Sequence, residues 1–128
     1  MEFFMPMIPP TCTHQEKKVA IRKGKPVMYE PADLKAARAL LRDSLPEPEE
    51  KMQGPVRLIT KWCFPARGSR GDGQWKTTRP DTDNLIKLLK DEMTHRGFWK
   101  DDAQVASEIT EKFWANIPGV YVKVERIG

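Results

Sequence analysis

A helical segment with a marked end, followed by two alternating segments, constrains the fold of this chain most. Four apolar residues recur at helical spacing within residues 83–96: Leu85, Leu88, Leu89 and Met93. Gly97 follows where a left-handed C-cap belongs, so the spacing predicts a helix ending there. Val105–Trp114 and Val120–Ile127 then alternate between apolar and polar residues, which predicts two strands. Such a sequence must bury a helix stripe against one face of a sheet.

The first half of the chain adds the remaining elements. Glu2–Ile8 reads as a strand, and the residues on both sides of Gly24 as a hairpin. Apolar residues at helical spacing between Pro31 and Pro46 predict a first helix, and Val56–Phe64 alternates like a strand. A length of 128 residues suits one core. We therefore expect a single α+β (mixed α/β) domain over residues 1–128, with one mixed sheet packed against two main helices.

Composition excludes several classes of protein. No apolar run approaches 18 residues, which argues against a membrane span. The start lacks a basic segment and contains prolines, so we expect no signal peptide and a location inside the cell. Cys12 and Cys63 are far apart and are interpreted as free thiols. The two histidines, His14 and His95, are too few for a histidine-based metal site.

Positive charge is concentrated in one region of the chain. The formal net charge is +4, which allows a polyanionic partner without proving one. Between Pro55 and Pro80 the only acid is Asp72, against six basic residues: Arg57, Lys61, Arg67, Arg70, Lys76 and Arg79. This region is the expected place for contacts with an anionic partner.

The densest catalytic chemistry lies around the start of the second helix. Asp81 and Asp83 precede or begin it, and Lys87 follows Asp83 by four residues on the same helical face. If the turn carrying Asp101 and Asp102 returns to this point, the carboxylates repel one another unless a cation neutralises them. Mg²⁺ prefers such oxygen ligands, and carboxylates, metal and a lysine together suit phosphodiester hydrolysis.

Each of these residues also has a purely structural interpretation. Asp81 or Asp83 can cap the helix, and Asp83 with Lys87 can form an ordinary i, i+4 ion pair. Asp101 and Asp102 can be turn residues. Further along the second helix, Asp91 and Glu92 are expected on a solvated face.

Two segments carry a specific resemblance. Pro80–Leu85 with Lys87, and Gly97–Val105, closely match the RusA family of Holliday junction resolvases. That family has an Asp-x-Asp-Asn-Leu segment, a lysine four residues after its second aspartate, and a Trp-x-Asp-Asp-Ala-Gln-Val segment. The spacing between the segments also matches, and the resemblance is looser outside Arg79–Val105.

The resemblance implies a role for each matched position. Asp81, Asp83 and Asp102 correspond to the metal-binding carboxylates and Lys87 to the catalytic lysine. Asn84 and Asp101 match positions near the site and are assigned supporting roles.

The family's members are small homodimers that use Mg²⁺ or Mn²⁺ to cut four-way DNA, are often phage-encoded, and act inside the bacterial cell. The resemblance thus implies resolution of Holliday junctions by paired symmetric incisions in DNA recombination and repair. It implies neither an organic cofactor nor a membrane. Basic residues that we expect to contact DNA phosphates are Lys23, Lys25, Arg67, Arg70, Lys76 and Arg79.

Of three alternatives, the sequence argues against the first and leaves the other two open. A restriction-type nuclease needs an Asp/Glu-x-Lys triplet after its Pro-Asp, and none follows Asp81. A non-catalytic junction-binding protein needs the basic residues but not the carboxylates. A decayed prophage copy would fold without cutting, although all four matched site residues, Asp81, Asp83, Lys87 and Asp102, are present.

Overall fold

The elements follow the order that the sequence predicts. The computed structural model describes residues 1–12 and 18–128, so His14 lies outside the described residues. It contains strands β1 (Glu2–Pro6), β2 (Lys18–Arg22) and β3 (Lys25–Tyr29), helix α1 (Ala32–Ser44), strand β4 (Val56–Pro65), helix α2 (Thr82–Arg96), and strands β5 (Val105–Ala115) and β6 (Gly119–Arg126). A short 3₁₀ helix, Asp102–Gln104, lies between α2 and β5.

Four of the strands form one mixed sheet in the order β1-β6-β4-β5. Strand β4 runs parallel to β5 and antiparallel to β6, and β6 runs antiparallel to β1. Because parallel neighbours need a crossover connection, α2 lies between β4 and β5 in the chain. Strands β2 and β3 form a separate hairpin. The predicted mixed sheet with two helices is confirmed.

The core lies between one face of the sheet and the two helices. Alternate residues of β4, such as Leu58 and Trp62, are fully buried. Lys61, next to Trp62 in the strand, is exposed on the opposite face. Leu41 of α1 and Leu88 of α2 are also fully buried in the same cluster. The opposite face of the sheet is more open, since Ile109 of β5 is 44% exposed. The alternation of the strands is thus explained by a core on one side only.

Helix α2 ends as predicted, and its end determines where the following turn lies. Gly97 has a φ of 89°, and its N–H donates to the Thr94 carbonyl while the N–H of Phe98 donates to that of Met93. Phe98 and Trp99 are buried directly after this cap. They anchor the chain in the core, so the aspartate pair that follows is held close to α2.

The cysteines, the membrane-span criterion and the outer face of α2 bear on three further expectations. Cys12 and Cys63, the two cysteines of the chain, are not joined in a disulfide, as expected. Among residues 1–12 and 18–128, no helix has both the length and the apolar character needed to cross a membrane. The expectation that Asp91 and Glu92 lie on a solvated face is wrong, because Glu92 is fully buried and Asp91 is half-buried. The reason is a set of ion pairs between the two helices, described below.

Candidate active site

The first turn of α2 presents two exposed carboxylates. Asp81 occupies the N-cap position, but its side chain makes no capping hydrogen bond. Its backbone carbonyl instead accepts from the Leu85 N–H at 3.2 Å. Asp83 accepts a hydrogen bond from the backbone N–H of Asn84 at 3.0 Å and is otherwise open to solvent. Capping therefore leaves the Asp81 carboxylate available, and positive charge from the helix N-terminus favours both anions.

Lys87 joins this helix to the later aspartate pair. Its Nζ lies 3.1 Å from Oδ1 of Asp91 and 3.5 Å from Oδ2 of Asp102. The hydrogen bond to Asp91, with the charges of Asp91 and Asp102, outweighs partial burial and raises the pKa of Lys87. The ion pairs of Lys87 within the described part of the chain run to these two residues, and not to Asp83. Lys87 of α2 is thus kept protonated beside Asp102, which belongs to the turn after that helix.

The turn carrying Asp102 is held by a capping box. Asp101 accepts a hydrogen bond from the Ala103 N–H at 2.8 Å, and Gln104 accepts from the Asp101 N–H at 3.1 Å. The Gln104 amide also donates to the carbonyls of Met52 and Gly54. Asp101 therefore fixes the turn, while the Asp102 carboxylate is left for Lys87. A shallow cavity of about 310 Å³ lies alongside, with Asp91, Asp101 and Asp102 in its lining.

The carboxylates have the donor chemistry of a divalent-metal site but are not gathered into one. Asp81, Asp83 and Asp102 offer oxygen ligands of the kind that Mg²⁺ prefers. Within the described residues, no three His, Cys, Asp or Glu side chains lie close enough to hold a metal ion between them. The structure brings Asp102 to Lys87, and Asp83 to the same helix face, and leaves Asp81 at the helix start.

A cluster of ion pairs around the buried Glu92 supports α2 from the side of α1. Glu92, whose side chain is 1% exposed, lies 2.7 Å from Nε of Arg42 and 3.5 Å from Nη1 of Arg38. Arg38 also contacts Glu30 at 2.9 Å and Asp91 at 3.3 Å. Burial lowers the pKa of Arg38, but the charges of Glu30 and Asp91 outweigh it and raise that pKa. We call Glu30, Arg38, Arg42 and Glu92 the interhelical ion cluster.

The segment 74–80 leads directly into Asp81 and is hydrogen-bonded to β5. The Lys76 N–H donates to the Lys112 carbonyl at 3.0 Å, and the Trp114 N–H donates to that of Gln74 at 2.8 Å. Nζ of Lys112 donates to the carbonyls of Thr78 and Pro80 at 2.7 and 2.8 Å. Lys112 thus fixes the backbone immediately before Asp81.

Three of the predicted DNA-contacting residues line one pocket at the end of β4. Arg67, Arg70 and Lys76 surround a cavity of about 190 Å³ together with Phe64 and Trp114. These five residues are called the basic pocket. Nζ of Lys76 lies 4.2 Å from the centre of the Trp114 ring, and the Arg70 guanidinium 4.9 Å from it. Such cation–π contacts hold cations without cancelling their charge.

The other predicted contacts with DNA lie apart from this pocket. Lys23 and Lys25 are exposed at the turn of the β2–β3 hairpin, where Lys23 has a φ of 51° and Gly24 a φ of 73°. Arg79 is exposed on the segment just before Pro80. These three side chains can meet an anionic surface but form no enclosed site.

Sequence reasoning missed three residues at this site. Asp91 was expected in solvent, although its position four residues after Lys87 was a usable signal for an ion pair. Lys112 and Trp114 lie on β5, and no local pattern singles them out. Their importance comes from the segment 74–80 lying along this edge of the sheet, which is a tertiary arrangement.

A protonated lysine paired with two aspartates, two exposed carboxylates at the start of the same helix, and a basic pocket elsewhere on the chain are together typical of enzymes that hydrolyse phosphodiesters. The comparisons agree with this class. The family model described as Endodeoxyribonuclease RusA matches residues 7–125. A Lactococcus phage r1t protein named crossover junction endodeoxyribonuclease rusA is 32% identical over 95 residues, covering 73% of this chain and 72% of its own.

An uncharacterized protein of Bacillus subtilis (strain 168), YqaN, is 32% identical over 121 residues. The match covers 84% of this chain and 84% of YqaN. The family model spans most of the chain, and both relatives share at least two thirds of their length with it. The chain belongs to the RusA family of endodeoxyribonucleases.

Proposed function

We propose that this protein resolves Holliday junctions by paired symmetric incisions, using a divalent cation, in DNA recombination and repair. The observation that carries the proposal is the contact between Lys87 and Asp102. It unites the two sequence segments that match the family, and the phage relative is named for crossover junctions. A four-way junction presents two equivalent strands to cut, and a homodimer with C2 symmetry supplies two identical sites.

The cation would be held by Asp81, Asp83 and Asp102, with Mg²⁺ as the expected ion and Mn²⁺ as a substitute. RusA resolvases are generally dependent on divalent metal. Held there, the cation would supply polarisation of the scissile phosphate and activation of water. Asp81 and Asp83 lie at the start of α2, and Asp102 lies beside Lys87. All three offer the carboxylate oxygens that Mg²⁺ prefers, which supports the assignment.

The chain's own residues supply positioning and charge. Lys87, held protonated by Asp91 and Asp102, is suited to stabilise the charge that develops on the phosphate. Asp101 and Gln104 fix the turn that presents Asp102. Lys112 fixes the backbone before Asp81. Asn84 supports the site through its backbone N–H, which contacts Asp83.

The test places purified protein on a synthetic mobile four-way junction and on a matched linear duplex, with Mg²⁺ and with EDTA. We expect paired nicks on the junction alone, and none in EDTA. Asp83→Asn should abolish cutting while junction binding persists, because it removes a charge and keeps the shape. Asp43→Asn, an exposed aspartate of α1, is the matched control and should cut like the unmodified protein.

Two results would contradict the proposal. Binding without cutting in any divalent metal would instead indicate a non-catalytic junction-binding protein or a decayed enzyme. Cutting by Asp83→Asn at the unmodified rate would remove Asp83 from the site. The homodimer is tested separately by light scattering during gel filtration, where a monomer at the concentration that supports paired nicking would refute it.

A further inference from the structure

The basic pocket has three cations, Arg67, Arg70 and Lys76, and no carboxylate among its described lining residues. Lys76 is only 8% exposed, and its Nζ donates to the Thr78 hydroxyl at 2.6 Å and lies 5.0 Å from the centre of the Phe64 ring. Burial lowers the pKa of Lys76, and the charges of Lys112 and Arg70 lower it further. In the described part of the chain, no carboxylate forms an ion pair with Arg67, Arg70 or Lys76. An anion entering the pocket would offset this repulsion.

The pocket also has apolar walls, which a bare anion would not need. Pro9 and Pro65 line it beside Phe64, and Ile8 at its edge is 65% exposed. Its volume of about 190 Å³ is below the roughly 300–1,000 Å³ usual for sites that hold drug-sized ligands. The matching ligand is small, anionic at one end and apolar or planar at the other. One nucleotide has this chemistry, and because it is larger than the pocket, only part of it would lie inside; a base pair would be larger still.

The pocket lies within a short reach of the proposed catalytic carboxylates. Asp81 follows Lys76 by five positions, which span at most about 18 Å when the chain is fully extended. Successive nucleotides of one strand rise about 3.4 Å along a duplex, so this distance covers about five nucleotides. A strand passing the carboxylates can therefore reach the pocket.

We propose that the basic pocket receives one nucleotide that has left the base stack, with its phosphate beside Arg70 and Lys76 and its sugar and base along Pro9 and Phe64. The inference rests on the proposed function, since it takes the substrate to be branched DNA. Unstacking a nucleotide costs least where pairing is already disturbed. The pocket thereby favours a branch point over continuous duplex.

The experiment separates an enclosed pocket from an open basic surface. A set of junctions carries a single neutral methylphosphonate at each phosphate within five nucleotides of the cut, and affinity is measured in EDTA so that no cutting intervenes. Arg70→Gln removes one cation of the pocket. Thr11→Phe fills the pocket without changing any charge, because Thr11 is exposed in its lining. Ala36→Phe, at an exposed position of α1, is the matched control.

In the unmodified protein, we expect one methylphosphonate position to weaken binding about tenfold, as for loss of a charge-assisted hydrogen bond. At that same position the effect should fall below about twofold in both Arg70→Gln and Thr11→Phe, and stay tenfold in Ala36→Phe. If Thr11→Phe retains the unmodified profile at every phosphate, the cations act as an open surface and the pocket assignment is wrong.

Two further measurements distinguish a misfolded variant from a wrong proposal. Thermal unfolding of each variant shows whether it is folded, and the Arg70→Gln profile alone refutes the proposal if it matches the unmodified one. Failure of the proposed function has a different signature, because the junction would then not be cut in Mg²⁺ by the unmodified protein, whatever the pocket variants do.

Discussion

Two charged regions of this molecule differ in how their charge is neutralised. In the interhelical ion cluster, the buried carboxylate of Glu92 is met by Arg42 and Arg38 at 2.7 and 3.5 Å. In the basic pocket, Arg70 and Lys76 lie against an indole ring, and no described carboxylate pairs with either. Each region buries one charged side chain, Glu92 in the first and Lys76 in the second, yet only Glu92 has its countercharge supplied from within the described part of the protein.

The difference separates a structural use of charge from a functional one. A buried charge is tolerated when it is paired and hydrogen-bonded, which holds for Glu92 between α1 and α2. Cations left without internal partners are costly to the fold but available to an anionic ligand. Lys87 stands between the two cases, because Asp91 links it to Arg38 while its contact with Asp102 faces the candidate site.

The largest expected effect is on stability, in the ion cluster. Glu92→Gln removes the charge that Arg38 and Arg42 share, and breaking a buried pair typically costs about 3 kcal/mol or more. Urea unfolding measures this loss. Glu108→Gln is the control, since Glu108 pairs with Lys90 at the surface and its loss should cost less than about 1 kcal/mol. Equal losses for both variants would show that Glu92 is no more structural than a surface carboxylate.

The next largest effect is on turnover and concerns Lys87, which is paired with Asp91 and with Asp102 of the candidate site. Lys87→Ala should lower the single-turnover rate on a junction about 10²-fold, as for loss of one group that stabilises transition-state charge. Its side chain is 47% exposed, so the free energy of unfolding should change by less than about 1 kcal/mol. Lys90→Ala, one turn further along α2, is the control and should cut normally. A large loss of stability with normal turnover would make Lys87 structural.

The helices and strands, and the resemblance to a family, could be predicted from the sequence because both depend on local sequence patterns. The stripe that ends at Gly97 predicted α2 and its cap. The return of the Asp101–Asp102 turn to this helix was considered from the sequence, but the contact of Lys87 with Asp102 was not predicted. The basic pocket could not be predicted, since Phe64 and Trp114 lie on neighbouring strands and meet Lys76 only through tertiary packing. Glu92 was misjudged for the same reason.

A smaller effect concerns affinity and its dependence on salt. Replacing Arg67 and Arg70 together by glutamine should weaken junction binding and reduce the log–log salt slope by about 1.8, if each contacts one phosphate. Replacing Lys35 and Lys51, which are exposed outside the basic region, removes the same charge and serves as the control. If both double variants lower the slope equally, net charge alone drives binding and the pocket has no special contact with DNA.

The smallest expected effect is on the pH dependence of the free energy of unfolding, which shows whether Lys76 lacks a countercharge within the protein. Burial, followed by the charges of Lys112 and Arg70, lowers the pKa of Lys76 in the folded protein. Between that lowered pKa and the value in the unfolded chain, the unfolded state binds more protons, so stability rises with pH. Lys76→Met removes this titration. The free energy of unfolding of the unmodified protein, minus that of Lys76→Met, should therefore increase on raising the pH through this alkaline window.

A second variant connects this rise to its cause. Arg70→Gln removes one of the cations that lower the pKa of Lys76, so in that background the increase with pH should be smaller. Urea unfolding at a series of alkaline pH values measures both differences. A difference that instead decreased with pH would mean that the folded protein holds Lys76 in its charged form. The basic pocket would then resemble the interhelical ion cluster, with its charge neutralised from within, and the contrast between the two regions would not hold.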